Sequence, residues 1–126
     1  MQDKYQKSLI YLTYSVIRSD GEVHFSETNA LNKLLFHEGI SLSDHEQFLD
    51  EINPLTAQDV FNTGLNTIKE CTVEEQKKVL AWIYTLVEAD DNVDVREARF
   101  LLYAINATNL DLETIIEESE LLPELI

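Results

Sequence analysis

Carboxylates crowd two short stretches of this 126-residue chain. One is Asp20-Gly21-Glu22-Val23-His24-Phe25-Ser26-Glu27, and the other is Asp90-Asp91-Asn92-Val93-Asp94-Val95-Arg96-Glu97. Oxygen donors of this kind suit hard divalent cations, calcium, magnesium or manganese, rather than soft metals. The candidate metal ligands are Asp20, Glu27, Asp90, Asp91, Asp94 and Glu97. His24, at the position matching Asp94, adds a nitrogen donor in the first stretch. In the second, Glu88, Asp90, Asp91, Asp94 and Glu97 place five carboxylates within ten residues. Asp90 and Asp91 follow an expected helix end, where the dipole disfavours negative charge. A cation, solvent or the next helix N-terminus would relieve them.

The same spacing also has a purely structural reading. Gly21 can take positive φ and end a helix, Val23 and Val93 can plug the bend, and Asp94 with Glu97 forms a capping box, as Glu27 does with the His24 backbone. An EF-hand is excluded. Its first and third ligand positions would fall on Val16 and Arg18, and on Leu86 and Glu88, so three of the four side chains cannot bind calcium.

Covalent chemistry finds less support. Cys71 precedes a helix-start signal whose dipole can lower a thiol pKa, but His24, His37 and His45 are all remote from it in sequence, so it reads as an inert thiol at a helix junction. His37 and His45 flank the turn around Gly39 and could meet, but two histidines do not make a metal site. The three glycines are scattered, so no phosphate-cradling loop exists. Tyr5, Tyr11, Tyr14, Trp82 and Tyr84 fall on or beside apolar stripes, where packing is their default role. A metal-dependent enzyme is the alternative, and it requires the carboxylates of both stretches to converge on one pocket.

Charge narrows the partners. Nine Lys and Arg against 24 acids give a net charge of -15. That balance argues against nucleic acid and against anionic membranes. Basic proteins and cations remain compatible. A lone cysteine excludes an internal disulfide and fits a reducing compartment. No apolar run reaches membrane-spanning length, and no signal-peptide core follows Met1–Lys7. The expectation is a cytoplasmic protein, monomeric or homodimeric, with no cofactor other than a divalent cation.

The elements that must position these residues are helices. Leu9, Ile10, Leu12, Val16 and Ile17 form one stripe at 3.6 residues per turn, and Val79, Leu80, Trp82, Leu86 and Val87 repeat it. Leu31, Leu34 and Leu35 match Leu101, Ala104 and Ile105. Pairing residue i with i+70 from Gln6 to Leu42 gives eight identities in 37 pairs, at Gln6, Lys7, Tyr14, Asp20, Val23, Glu27, Leu31 and Leu42. Average residue usage would give about two or three. A duplicated helix-loop-helix unit follows, with repeats near 5–42 and 75–112 and connecting helices over 43–72. Ser43-Asp44-His45-Glu46, Thr56-Ala57-Gln58-Asp59 and Thr72-Val73-Glu74-Glu75 read as helix starts, and Asn53-Pro54 interrupts the chain. The expected helices span 3–18, 25–38, 44–52, 57–70, 73–89, 95–107 and 112–121. The last, acid-rich, is expected to dock its apolar side on the core. The fold class is all-α, one domain over 1–126, a compact bundle of about seven helices with an internal pseudo-duplication.

The duplicated apolar helix, the Asp20-Gly21-x-Val23-x-x-x-Glu27 loop and the Leu-rich helix after it resemble the TerB-like family, named for bacterial tellurite resistance. The likeness covers about residues 5–52 and 73–118. It implies a bacterial cytoplasmic protein tied to stress or tellurite response through metal binding or protein contacts, and it does not imply a reaction. The acidic positions it carries over are Asp20, Glu27, Asp90 and Glu97. Asp91 stands where the pattern has Gly.

Overall fold

Start and stop chemistry divides the described chain into α1 (Asp3–Ile17), α2 (Phe25–His37), α3 (Leu42–Ile52), α4 (Ala57–Ile68), α5 (Val73–Glu88), α6 (Val95–Ala107) and α7 (Leu112–Ser119). The computed structural model describes residues 3–18, 25–88 and 95–122, with side chains for all of these but residues 3, 25–28 and 95–97. No strand occurs among the described residues. The protein is all-α.

Each cap has a visible cause. Thr56 Oγ1 accepts from the Asp59 N–H at 3.1 Å. Thr72 and Glu75 satisfy each other's backbone N–H groups at 2.9 and 3.1 Å, a complete capping box. Asp111 caps α7 by accepting from the Thr114 N–H at 2.8 Å. The start of α3 departs from expectation: its cap is Ser41, two residues before Ser43, accepting from the Asp44 N–H at 3.1 Å. The turn before it explains the shift. Gly39 takes φ 68°, and the Ile40 N–H then donates to the Leu35 carbonyl at 3.0 Å. This left-handed closure of α2 buries Ile40 and leaves Ser41 extended, ready to cap.

The helix starts at 3, 25 and 42 recur at 73, 95 and 112, each 70 residues later. Asn109 takes φ 62° where Gly39 takes φ 68°. Asp111 caps α7 where Ser41 caps α3. Packing is reciprocal too, since α1 lies against α6 while α5 lies against α2.

One expectation about α1 needs correction. A single apolar stripe was expected, but every residue from Ser8 to Ile17 is buried. The reason is position: α1 packs most closely on α4 and also meets α5, α6 and α3. Its polar residues survive burial partly through local bonds, Ser15 Oγ donating to the Tyr11 carbonyl at 2.9 Å and Ser8 Oγ to the Tyr5 carbonyl at 3.0 Å. The second central helix, α5, packs chiefly against α7, whose Ile115 is wholly buried. Leu9, Ile10, Leu12, Leu34, Ile68, Leu80, Trp82, Ile83 and Ile115 join one core.

Candidate functional site

The expected cation ligands fall where the structure is silent. Asp20, Asp90, Asp91 and Asp94, with His24, lie outside the described residues, as do the side chains of Glu27 and Glu97. Glu27 and Glu97 belong to the first turns of α2 and α6. Among the described residues, no group of three or more His, Cys, Asp or Glu is placed to hold a metal.

Several described polar side chains pair across helices. Glu38, just after α2, accepts from Trp82 Nε1 at 2.6 Å and meets Lys78 Nζ at 3.3 Å, with only 7% of its side chain exposed. Tyr5 lies beside the same carboxylate without a well-formed hydrogen bond. Burial first, and the Glu38 charge second, push the Tyr5 hydroxyl far above the ordinary tyrosine range. The aromatics expected only to pack are therefore also polar anchors.

A second set joins α1 to α3. Tyr11 Oη donates to Glu51 Oε1 at 2.9 Å, and burial with that bond pushes its pKa up to about 12. Tyr14 Oη and His45 Nε2 are 2.7 Å apart, with the rings stacked 5.9 Å between centroids. Burial raises the Tyr14 pKa against the pull of Arg18, whose guanidinium lies 5.0 Å from that ring. It lowers the His45 pKa. His37 instead stacks on Trp82, at 6.3 Å. The two histidines thus face different aromatic partners rather than each other.

Cys71 shows no activation. Its thiol pKa is raised, because burial outweighs the help of Ser8 Oγ at 3.8 Å. The sulfur donates to the Thr67 carbonyl at 3.6 Å. Those partners belong to a structural thiol rather than an activated nucleophile.

The feature that sequence reasoning missed is a groove between α4 and α6, of about 550 Å³ and open along one side. Phe61 and Phe100 form its apolar floor as an edge-to-face pair, 4.7 Å between centroids. Gln58, Asn62 and Leu65 line the α4 side, and Arg99 and Tyr103 the α6 side. One signal was available at the 70-residue offset: where α6 has Arg99, Phe100 and Tyr103, α2 has Asn29, Ala30 and Lys33. No family model matches the chain, and neither a curated protein nor a solved structure does.

Proposed function

We propose that this protein is a non-enzymatic, TerB-like binding module of the bacterial cytoplasm. In this reading it engages a basic partner protein in a stress or tellurite response, and divalent cations at Asp20, Glu27, Asp90, Asp91, Asp94 and Glu97 tune that contact. The observation that carries the reading is the surface around the Gly39 turn. Phe36 is 81% exposed and Leu42 is 73% exposed, one on each side of the turn. Asp44, Glu46 and Asp50 follow on the exposed surface of α3, which contains no Lys or Arg. Large apolar side chains left in water beside acids suit a partner bringing both apolar and basic groups. The matched helix starts, left-handed residues and caps of the two halves support the duplicated unit on which the family resemblance rests.

The test compares affinity capture by the native chain and by a Phe36→Ser, Leu42→Ser double variant of unchanged circular dichroism. A basic protein retained by the first and lost by the second is the expected result. Equal recovery by both would remove the α2–α3 surface from the reading. Calorimetric titration of calcium, magnesium and manganese into chelator-treated protein tests the cation part. Micromolar binding abolished by Asp90→Asn with Asp94→Asn is expected, and no saturable heat would reduce the acidic loops to helix caps.

A further inference from the structure

We infer that the α4–α6 groove is a binding site for a small amphipathic monocarboxylate, with its apolar body on the Phe61–Phe100 floor and its carboxylate on Arg99. The site lies on different helices from the α2–α3 surface, so it stands or falls separately from the partner reading.

Volume and lining make the first part of the argument. About 550 Å³ is within the range of small-molecule sites, which are apolar basins with a few polar groups that fix orientation. Here Phe61, Leu65, Phe100 and Tyr103 supply the basin, and Gln58 and Asn62 supply amides at one side. The two amides bond each other at 3.4 Å, leaving further donors and acceptors for a ligand. Tyr103 is 61% exposed, so its ring can close over an occupant without first leaving the core.

Charge decides the class. The chain has nine Lys and Arg for 24 acids, and several of the described cations are committed elsewhere. Lys4 pairs with Glu70, Lys77 with Glu74, Lys78 with Glu38, and Arg18 covers Tyr14. Arg99 has no ion-pair partner among the described residues, and it sits on the wall of an apolar groove. A guanidinium there offers a two-pronged donor that fits one carboxylate. A dianion such as a phosphate monoester would keep one charge uncompensated beside a chain of net -15.

Asymmetry between the halves makes the third part. The groove exists because α4 brings Phe61 to α6. On the α6 side it uses Arg99, Phe100 and Tyr103, positions that are Asn29, Ala30 and Lys33 in α2. Helix α4 thus covers α1 with one face and builds the groove with another.

The experiment titrates 1-naphthaleneacetate, and separately its neutral amide, into isotopically labelled protein, following backbone and side-chain amide NMR shifts. Saturable binding of the acid with shifts centred on Phe61, Asn62 and Phe100 is expected. Arg99→Gln should weaken the acid at least tenfold while leaving the amide's affinity within twofold, and Tyr103→Ala should weaken both. Arg99 and Tyr103 are surface residues, so both variants should keep the native spectrum elsewhere. Three results would overturn the proposal: no saturable shifts up to millimolar acid, shifts centred on another surface, or equal loss of acid and amide on Arg99→Gln. An acidic apolar peptide that fills the groove when neither small probe does would also overturn it, in favour of a protein ligand.

Discussion

Gly64→Ala should destabilise the fold, although alanine is the better helix former. A methyl group built on Gly64 would sit 2.8 Å from Leu12 Cδ2, 2.9 Å from Leu12 Cγ and 3.3 Å from the Leu12 backbone nitrogen. Rotating the end of Leu12 does not free Cγ or the backbone, and Leu12 is 1% exposed. The α1–α4 pair must therefore move apart or strain a rotamer, at about 1–3 kcal/mol. Helix propensity returns about 1 kcal/mol. The net loss is up to about 2 kcal/mol, and with a urea slope of about 2 kcal/mol/M the midpoint should fall by up to about 1 M. Urea titration followed by the fluorescence of the single tryptophan, Trp82, and by circular dichroism reads it directly. A double-variant cycle isolates the cause. Leu12→Ala alone should cost about 2–5 kcal/mol, but in that background Gly64→Ala should become neutral or stabilising, a coupling of about 1 kcal/mol or more. A raised midpoint for Gly64→Ala alone, or strict additivity in the cycle, would refute the close α1–α4 approach.

Three further perturbations test other contacts. Trp82→Phe removes the donor to Glu38 while keeping an aromatic in the core, and should cost about 1.5–3 kcal/mol in urea unfolding; a loss below about 0.5 kcal/mol would show that Lys78 alone satisfies the carboxylate. His45 has its folded pKa below the ordinary 6.5 because burial disfavours the charged ring. Its contribution is fully present above about pH 6.5 and is lost as the pH falls through the folded value, so stability should decline on acidification in that window, and His45→Gln should flatten the decline. At the left-handed turn, Gly39→Asn should be nearly neutral, as Asn109 adopts the same conformation at the matching position. Gly39→Val should cost about 1–2 kcal/mol although nothing crowds the site; equal midpoints for the two variants would count against strain as the cause.

The sequence by itself determined the helices. Their boundaries rest on contacts three to five residues apart, such as Thr72 with Glu75, Thr56 with Asp59, and the Gly39 closure. Such signals are complete within a short window, which is why seven helices and an all-α class could be read before any packing was known. Even the misplaced α3 start was a choice between two neighbouring serines. The acidic loops were equally legible as a repeated motif, because eight consecutive letters carry it.

Tertiary structure decided everything that depends on distant residues meeting. Trp82 reaches Glu38 across 44 positions, and Tyr14 reaches His45 across 31. Nothing in either local pattern names the partner. The burial of α1 on all sides follows from α4 closing over it, so a stripe drawn from periodicity alone understated its burial. The groove belongs to the same class. Nothing in the local pattern around Phe61 on α4 or Arg99 on α6 names the other, and packing sets them around a common space. Periodicity reports which side of a helix is apolar, whereas only the assembled bundle determines which apolar sides remain open and which charge faces them.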